Sequence, residues 1–215
     1  WYTDNEIFYS TSTSESLPLE LRLYNIDTKE QKPVTNPVVG GRGDYFVRAC
    51  NESKSFILRN IDSLTVQIVS FDIKSKQEKL IMEINDDSVV SVDWLPNCES
   101  LAIFLKTKGI YALNMGDGKL TAINENIRGV KSLRVVKDHL YVAQGRYFNK
   151  SIISIDTKEE LSPKVLVESR GSNRTFIKNP VTDSFAFISS RSLFISSNLL
   201  SISSMISSCG GFSQY

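Results

Sequence analysis

Val66-Gln-Ile-Val-Ser-Phe-Asp72-Ile-Lys74 is an alternating apolar run that closes on an acidic residue and a lysine turn. The same pattern returns as Leu21-Arg-Leu-Tyr-Asn-Ile-Asp27-Thr-Lys29, Ile110-Tyr-Ala-Leu-Asn114-Met-Gly-Asp-Gly-Lys119 and Ile152-Ile-Ser-Ile-Asp156-Thr-Lys158. The closing positions 27, 72, 114 and 156 are spaced by 45, 42 and 42 residues. A second run precedes each of these and is paced the same way. Aligned on Ile7, Phe56, Leu101, Leu140 and Phe185, its steps are 49, 45, 39 and 45 residues. Two independent landmarks thus share one period.

Period-two alternation, Val/Ile/Phe/Tyr content and Asp/Asn/Gly/Lys turns all specify strands. A further run lies ahead of each leading strand, most clearly Val89-Val-Ser-Val-Asp-Trp94, and a fourth follows each acidic turn, as in Lys79-Leu-Ile-Met-Glu-Ile84, Lys119-Leu-Thr-Ala-Ile123 and Lys164-Val-Leu-Val-Glu168. Four strands in about 40–45 residues is the pace of one propeller blade. A single blade cannot cover both of its faces, so blades must stack to bury their apolar rows. No stretch carries a helical apolar stripe. The expected fold is an all-β propeller of four-stranded blades, with about five blade-equivalents over 1–188. Residues 189–215 are Ser-rich and read as a degenerate last blade or tail.

Composition fits this reading. The chain has 215 residues, 25 Lys+Arg, 24 Asp+Glu, a net charge of +1 and 41% hydrophobic residues. That balance argues against a nucleic-acid surface, which usually carries a basic excess. No apolar run approaches the ~20 residues that span a bilayer, and the opening residues do not read as a signal peptide. The start at Trp1, without an initiator Met, reads as an excised or processed segment. Cys50, Cys98 and Cys209 allow one disulfide and one thiol, or three thiols, and leave the compartment open.

The segment Asp93-Trp-Leu-Pro96-Asn-Cys-Glu-Ser-Leu-Ala-Ile-Phe104 resembles the W-S-P-D-G-K-x-I-A-F blade motif of TolB-like propellers. These are also the tricorn and dipeptidyl-peptidase type of repeat. Pro180-Val-Thr-Asp-Ser-Phe-Ala-Phe187 has the same frame, with Pro180 set 84 residues after Pro96. Asn51-Glu-Ser-Lys-Ser-Phe-Ile-Leu58 and Val135-Val-Lys-Asp-His-Leu-Tyr-Val142 are weaker copies. Leu95 replaces the usual Ser, and Asn97-Cys98 replace Asp-Gly. The resemblance implies a binding or sensing scaffold: an extracytoplasmic, periplasmic domain, such as the ectodomain of a CadC-like winged-helix transcriptional regulator. The alternatives are the substrate-gating propeller of a prolyl peptidase and a cytoplasmic WD-type scaffold.

Catalysis within the chain is not expected. Gly-x-Ser-x-Gly is absent, and the one histidine, His139, sits beside Asp138 at a turn. With one His, no Cys-x-x-Cys and no oxygen-rich loop of the right spacing around Asp86-Asp87, neither a metal nor a cofactor is expected. Met115-Gly-Asp-Gly-Lys119 reads as a hairpin turn rather than a phosphate loop. Trp94 reads as a core anchor. The candidate partner-binding residues lie in loops. They are Arg42 and Asp44 in Gly40-Gly-Arg-Gly-Asp-Tyr45, an inter-blade connection that contains Arg-Gly-Asp, and Arg146, Tyr147 and Phe148 in the loop after Gln144. The partner class is a protein or a small-molecule signal. Asn51, Asn149 and Asn173 match the N-glycosylation acceptor pattern, as a Ser/Thr-rich surface often does.

Overall fold

The computed structural model describes residues 2–51, 53–85, 89–145, 151–158, 162–168, 173–178, 185–189 and 192–196, which form strands, turns and no helix. The chain divides into two compact units, Trp1–Ser88 with Asn114–Lys119, and Val89–Leu113 with Leu120–Tyr215.

In the first unit, β1 (Glu6–Thr11), β2 (Glu20–Asn25) and β3 (Gln31–Pro33) form a three-stranded sheet. A four-stranded sheet follows, from β4 (Gly43–Ala49), β5 (Lys54–Asn60), β6 (Val66–Asp72) and β7 (Glu78–Ile84). In the second unit, β8 (Val89–Trp94), β9 (Ser100–Leu105), β10 (Gly109–Asn114) and β11 (Leu120–Asn124) make one sheet. A second comprises β12 (Val130–Val136), β13 (His139–Gln144), β14 (Ser151–Asp156) and β15 (Pro163–Glu168). A third has β16 (Asn173–Lys178), β17 (Phe185–Ser189) and β18 (Ser192–Ser196). Every sheet is an antiparallel meander in chain order, as the repeat demands. The leading runs are β1, β5, β9, β13 and β17. Because β18 pairs with β17 from Ser189↔Ser192 to Phe185↔Ser196, the Ser-rich stretch begins inside the fifth sheet. Residues 197–215 lie outside the described residues.

The hairpin turns repeat in chemical detail. Asn25, Asp72 and Asn114 each donate their backbone N–H to the carbonyl five residues on, at 2.9, 3.0 and 2.9 Å. Their side-chain oxygens accept turn N–H groups, from Asp27 and Thr28, from Ser75, and from Gly116 and Asp117. Four residues after each comes a left-handed residue: Lys29 (φ 62°), Lys76 (φ 58°) and Gly118 (φ 74°). The structural equivalent of Asp72 in the first sheet is therefore Asn25, not Asp27, and the first step of that landmark is 47 residues. Either amide or carboxylate oxygen can cap such a turn, so aligning on Asp27 rather than Asn25 picks the wrong residue. Asn97 fills the Asp position of the blade motif in the same way, accepting from Glu99 N and Ser100 N. Cys98, at the motif's Gly position, is left-handed at φ 53° and disulfide-bonded.

The cores follow from alternation. In the first unit Leu21, Ile57, Val69 and Phe71 are buried together, with Val34, Val47 and Ile73 against them. In the second, Ala102, Phe104, Ile110, Ile127, Val130, Leu133, Leu140, Val142, Ile153 and Ile155 form one apolar body. Full burial of each large side chain contributes about 1.5–3 kcal/mol. Trp94 is buried, as a core anchor should be.

Adjacent sheets in the second unit are also joined by polar bonds. Ser91 Oγ accepts Leu133 N at 3.0 Å and Asp93 Oδ2 accepts Val135 N at 2.9 Å. Side chains of β8 thus satisfy the backbone edge of β12 that faces away from β13, an edge with no hydrogen-bonded strand among the described residues.

Candidate interaction surface

The Arg42-Gly43-Asp44 triplet is part of the framework. Leu19 and Gly43 form a parallel bridge, with Leu19 N donating to Arg42 O at 3.0 Å and Asp44 N to Leu19 O at 2.7 Å. Gly43 has φ 88°, and a Cβ there would lie 2.2 Å from Leu19 O. Only glycine fits. Asp44 is 0% exposed and lies in β4, directly opposite Arg59 of β5. Arg59 Nε and Nη2 donate to its two oxygens at 2.6 and 3.1 Å, while Nη1 and Nη2 reach Glu78 at 2.8 and 3.1 Å. These two carboxylates raise the Arg59 pKa against the opposing pull of burial. Asp44 is thus withdrawn from solvent, and the triplet does not display an Arg-Gly-Asp loop. Arg42 alone is exposed.

Arg42 marks a junction of three turns. Its N–H donates to Asn60 O at 3.0 Å and its C=O accepts from Leu19, so main-chain atoms lace the β1–β2, β3–β4 and β5–β6 connections together. Between Val38 and Gly41 the chain makes a tight turn, with Gly41 N donating to Val38 O at 3.3 Å and Gly40 at φ 97°. A positive φ at the third position is the type II requirement. The turn holds Val38 and Val39 outward at 70% and 77% exposure. A Cβ on Gly41 would approach Ile61 O at 3.2 Å, so this turn lies directly against the β5–β6 turn. There Asp62 accepts Leu64 N and Thr65 N at 2.7 Å each, which leaves Leu64 60% exposed. Those two N–H groups, helped by Thr65 Oγ1 and Arg42, hold the Asp62 carboxyl below the ordinary carboxylate value. Leu17 is a further exposed apolar residue in the β1–β2 turn. The result is a rigidly backed apolar surface with one exposed guanidinium. The valines are not among the residues expected from the sequence; Pro37-Val-Val-Gly-Gly41, an apolar pair framed by turn residues, is the signal that marks them.

A groove of about 500 Å³ in the same unit is lined by Glu20, Pro33, Val34, Thr35, Asn36, Lys76 and Glu78. Both carboxylates are already engaged, Glu20 by Arg22 at 2.6 Å and Glu78 by Arg59. Lys76 is the remaining charged wall.

In the second unit, His139 is 44% exposed, with Nδ1 4.0 Å from Asp156 and its ring beside Tyr141. Asp138 pairs instead with Lys158 at 2.8 Å. Arg146, Tyr147 and Phe148 lie outside the described residues, as do Asp86 and Asp87. The start of their loop is anchored: Gln144 Nε2 donates to Arg128 O at 2.7 Å, Ser151 Oγ donates to Gln144 Oε1 at 2.6 Å, and Gly145 N donates to Gly129 O at 3.0 Å. Among the described residues, no three His, Cys, Asp or Glu side chains cluster as a metal site, and no helix is long and apolar enough to cross a membrane.

No family model matches the sequence, and no curated protein matches it. Solved structures do. TolB from Acinetobacter baumannii superimposes with a TM-score of 0.70 at 15% identity, over 92% of this chain and 51% of TolB. The C-terminal WD40 domain of Sif2 gives 0.60 at 12% identity, over 92% of this chain and 55% of that one. The tricorn protease gives 0.60 at 11%, over 89% of this chain and 20% of the protease. The chain spans about half the length of the first two. Identities this low carry the fold alone, and with the meandering sheets and their repeated turns they establish it: the chain has a β-propeller fold of antiparallel blades, three of them four-stranded and two three-stranded among the described residues.

Proposed function

We propose that this chain is a non-enzymatic interaction domain whose blades hold one set of connecting turns rigid for recognition of a protein partner. The observation that carries the reading is the main-chain lacing at Leu19, Arg42 and Asn60, which fixes exposed Val38, Val39 and Leu64 on one surface. Exposed apolar side chains on a stiff support lose little entropy when covered. The disulfide bonding of Cys50 and of Cys98 favours an extracytoplasmic, periplasmic setting. A sensing ectodomain of a membrane-anchored, winged-helix regulator fits that setting, and binding of one conformational state over another would transmit the signal. Nucleic acid is not the partner in this reading, because the surface carries one exposed Arg, offset by the Asp62 carboxylate, among apolar groups.

The test is site-specific photo-cross-linking in the full-length protein in its native cells. Probes at Val39 and Leu64 are expected to trap the same discrete protein, and a probe at exposed Glu99 is expected not to. Equal, diffuse trapping at all three positions would sink the proposal. Reading the complete open reading frame separates the wider assignments: a winged-helix segment and one membrane span upstream support the regulator, and a downstream hydrolase domain supports a peptidase gate.

A small-molecule signal is the second reading, favoured by the groove between Glu20 and Glu78, whose volume falls within the range of ligand sites.

A further inference from the structure

Asn51-Glu-Ser53 lies in the β4–β5 hairpin, which Cys50 N closes by donating to Lys54 O at 2.8 Å. Asn51 is exposed. Its Oδ1 accepts three hydrogen bonds, from Ser53 N at 3.0 Å, Ser53 Oγ at 3.1 Å and Lys54 N at 2.9 Å. They fix the carboxamide and leave Nδ2 without a hydrogen bond among the described residues.

The backbone half of this cap recurs along the chain. Asn25, Asn97, Asn114 and Asn124 each hold turn N–H groups on Oδ1. Two places after them stand Asp27, Glu99, Gly116 and Asn126. Of these five turns, the one at Asn51 alone has a hydroxyl at that place, and the other four close without one. The Ser53 hydroxyl is therefore surplus to the turn, and it completes the Asn-x-Ser pattern of a glycan acceptor. The two other triplets of this kind differ. Asn173 belongs to the β16–β17 ladder, opposite Ser189, and Asn149 lies outside the described residues.

We propose that Asn51 is an N-glycosylation site. The proposal rests on the extracytoplasmic reading above, which the disulfide bonding of Cys50, the residue just before the acceptor, favours. The co-substrate is a glycan carried on a polyprenyl phosphate or pyrophosphate. Asn51 Nδ2 bonds to the anomeric carbon of the sugar as the bond from that carbon to the phosphate oxygen breaks. The lipid phosphate leaves with the electron pair, and Nδ2 gives up one proton.

The fold also has room for the product. β5 (Lys54–Asn60) runs from this hairpin to the β5–β6 turn, so Asn51 and Leu64 stand at opposite ends of one sheet, on the order of 20 Å apart. Beside Asn51 at its end is the β6–β7 turn, where Lys74, Ser75, Lys76 and Gln77 are all exposed. A glycan there covers polar hairpins and leaves Val38, Val39 and Leu64 uncovered.

Peptide mass spectrometry on the full-length protein from its native cells tests the idea, with the oxidation state of Cys50 read from the same sample. A glycan on Asn51 is expected. It should be lost in Asn51→Gln and in Ser53→Ala and retained in Ser53→Thr, with photo-cross-linking at Val39 unchanged in all three. A bare Asn51 beside a disulfide-bonded Cys50 overturns the proposal and leaves the extracytoplasmic reading standing. A bare Asn51 beside a Cys50 thiol overturns both. Glycan on Asn149 or Asn173 with Asn51 bare overturns the assignment to this turn.

Discussion

Asp93 Oδ2 accepts the backbone N–H of Val135, 42 residues further along, at 2.9 Å. One blade period separates donor from acceptor, and Ser91 repeats the bond with Leu133. The carboxylate also takes the N–H of Trp94 at 3.0 Å through Oδ1. Removing it leaves buried donors unsatisfied. Asp93→Ala should cost about 2–4 kcal/mol and Ser91→Ala about 1 kcal/mol, read from denaturant midpoints. Equal, negligible effects would show that β12 does not depend on its neighbour.

Arg59 stands between Asp44 and Glu78, and Asp44 has no access to water. Loss of the guanidinium strands a buried carboxylate. Arg59→Met should destabilise by about 3–5 kcal/mol, whereas Glu78→Gln, at the partly exposed end, should cost about 1 kcal/mol. Thermal or urea unfolding of the two variants ranks them. The reverse order would mean that Glu78 is the principal partner.

At Gly43 the left-handed φ and the close approach of Leu19 O act together, while Gly116 has an ordinary φ and only the Asn114 Oδ1 side-chain atom at 3.1 Å. Gly43→Ala should lose roughly 2 kcal/mol or more and loosen the Leu19 bridge, and Gly116→Ala should stay within about 0.5 kcal/mol. Hydrogen exchange at Asp44 N, which donates to Leu19 O, reports the bridge directly.

Burial pushes the Tyr45 phenol up to about 12 from its ordinary 10.0. The fold therefore retains the neutral form while the unfolded chain ionises first. That contribution to stability is complete below pH 10 and is lost as pH rises through about 12. Wild-type unfolding midpoints should fall across this window more steeply than those of Tyr45→Phe. Parallel curves would contradict the buried phenol.

With Cys50 and Cys98 disulfide-bonded, the unreduced, denatured chain should expose a single reactive thiol, Cys209, and reduction should raise the count to three. Quantitative alkylation with mass spectrometry gives the number. Three thiols without reductant would favour a cytoplasmic scaffold over an extracytoplasmic domain.

The sheets were legible because alternation and turn chemistry are local, and a 42-residue period repeats them. Asp27 was misaligned with Asp72 because Asn25 performs the same capping with an amide oxygen. Cys98 hid a left-handed turn position, since φ 53° is expected of Gly rather than Cys. Asp44 read as part of an exposed loop because nothing within its own segment reveals Arg59, fifteen residues on, as its partner. The bonds from Ser91 and Asp93 were equally hidden: they satisfy a backbone edge that exists only once sheets stand side by side. The apolar tip at Val38 and Val39 was visible only as two valines between turn residues, and exposure is a property of the folded turn.

The lacing of Leu19, Arg42 and Asn60 uses no side-chain atom at all. Outward side chains that cap none of these turns, Val38, Val39 and Leu64 among them, are consequently exempt from maintaining them. Such a surface can be rewritten letter by letter, by selection or by a designer, while the scaffold beneath keeps its shape. The wiring itself is anonymous, so the same three turns could carry recognition of quite different partners in related chains.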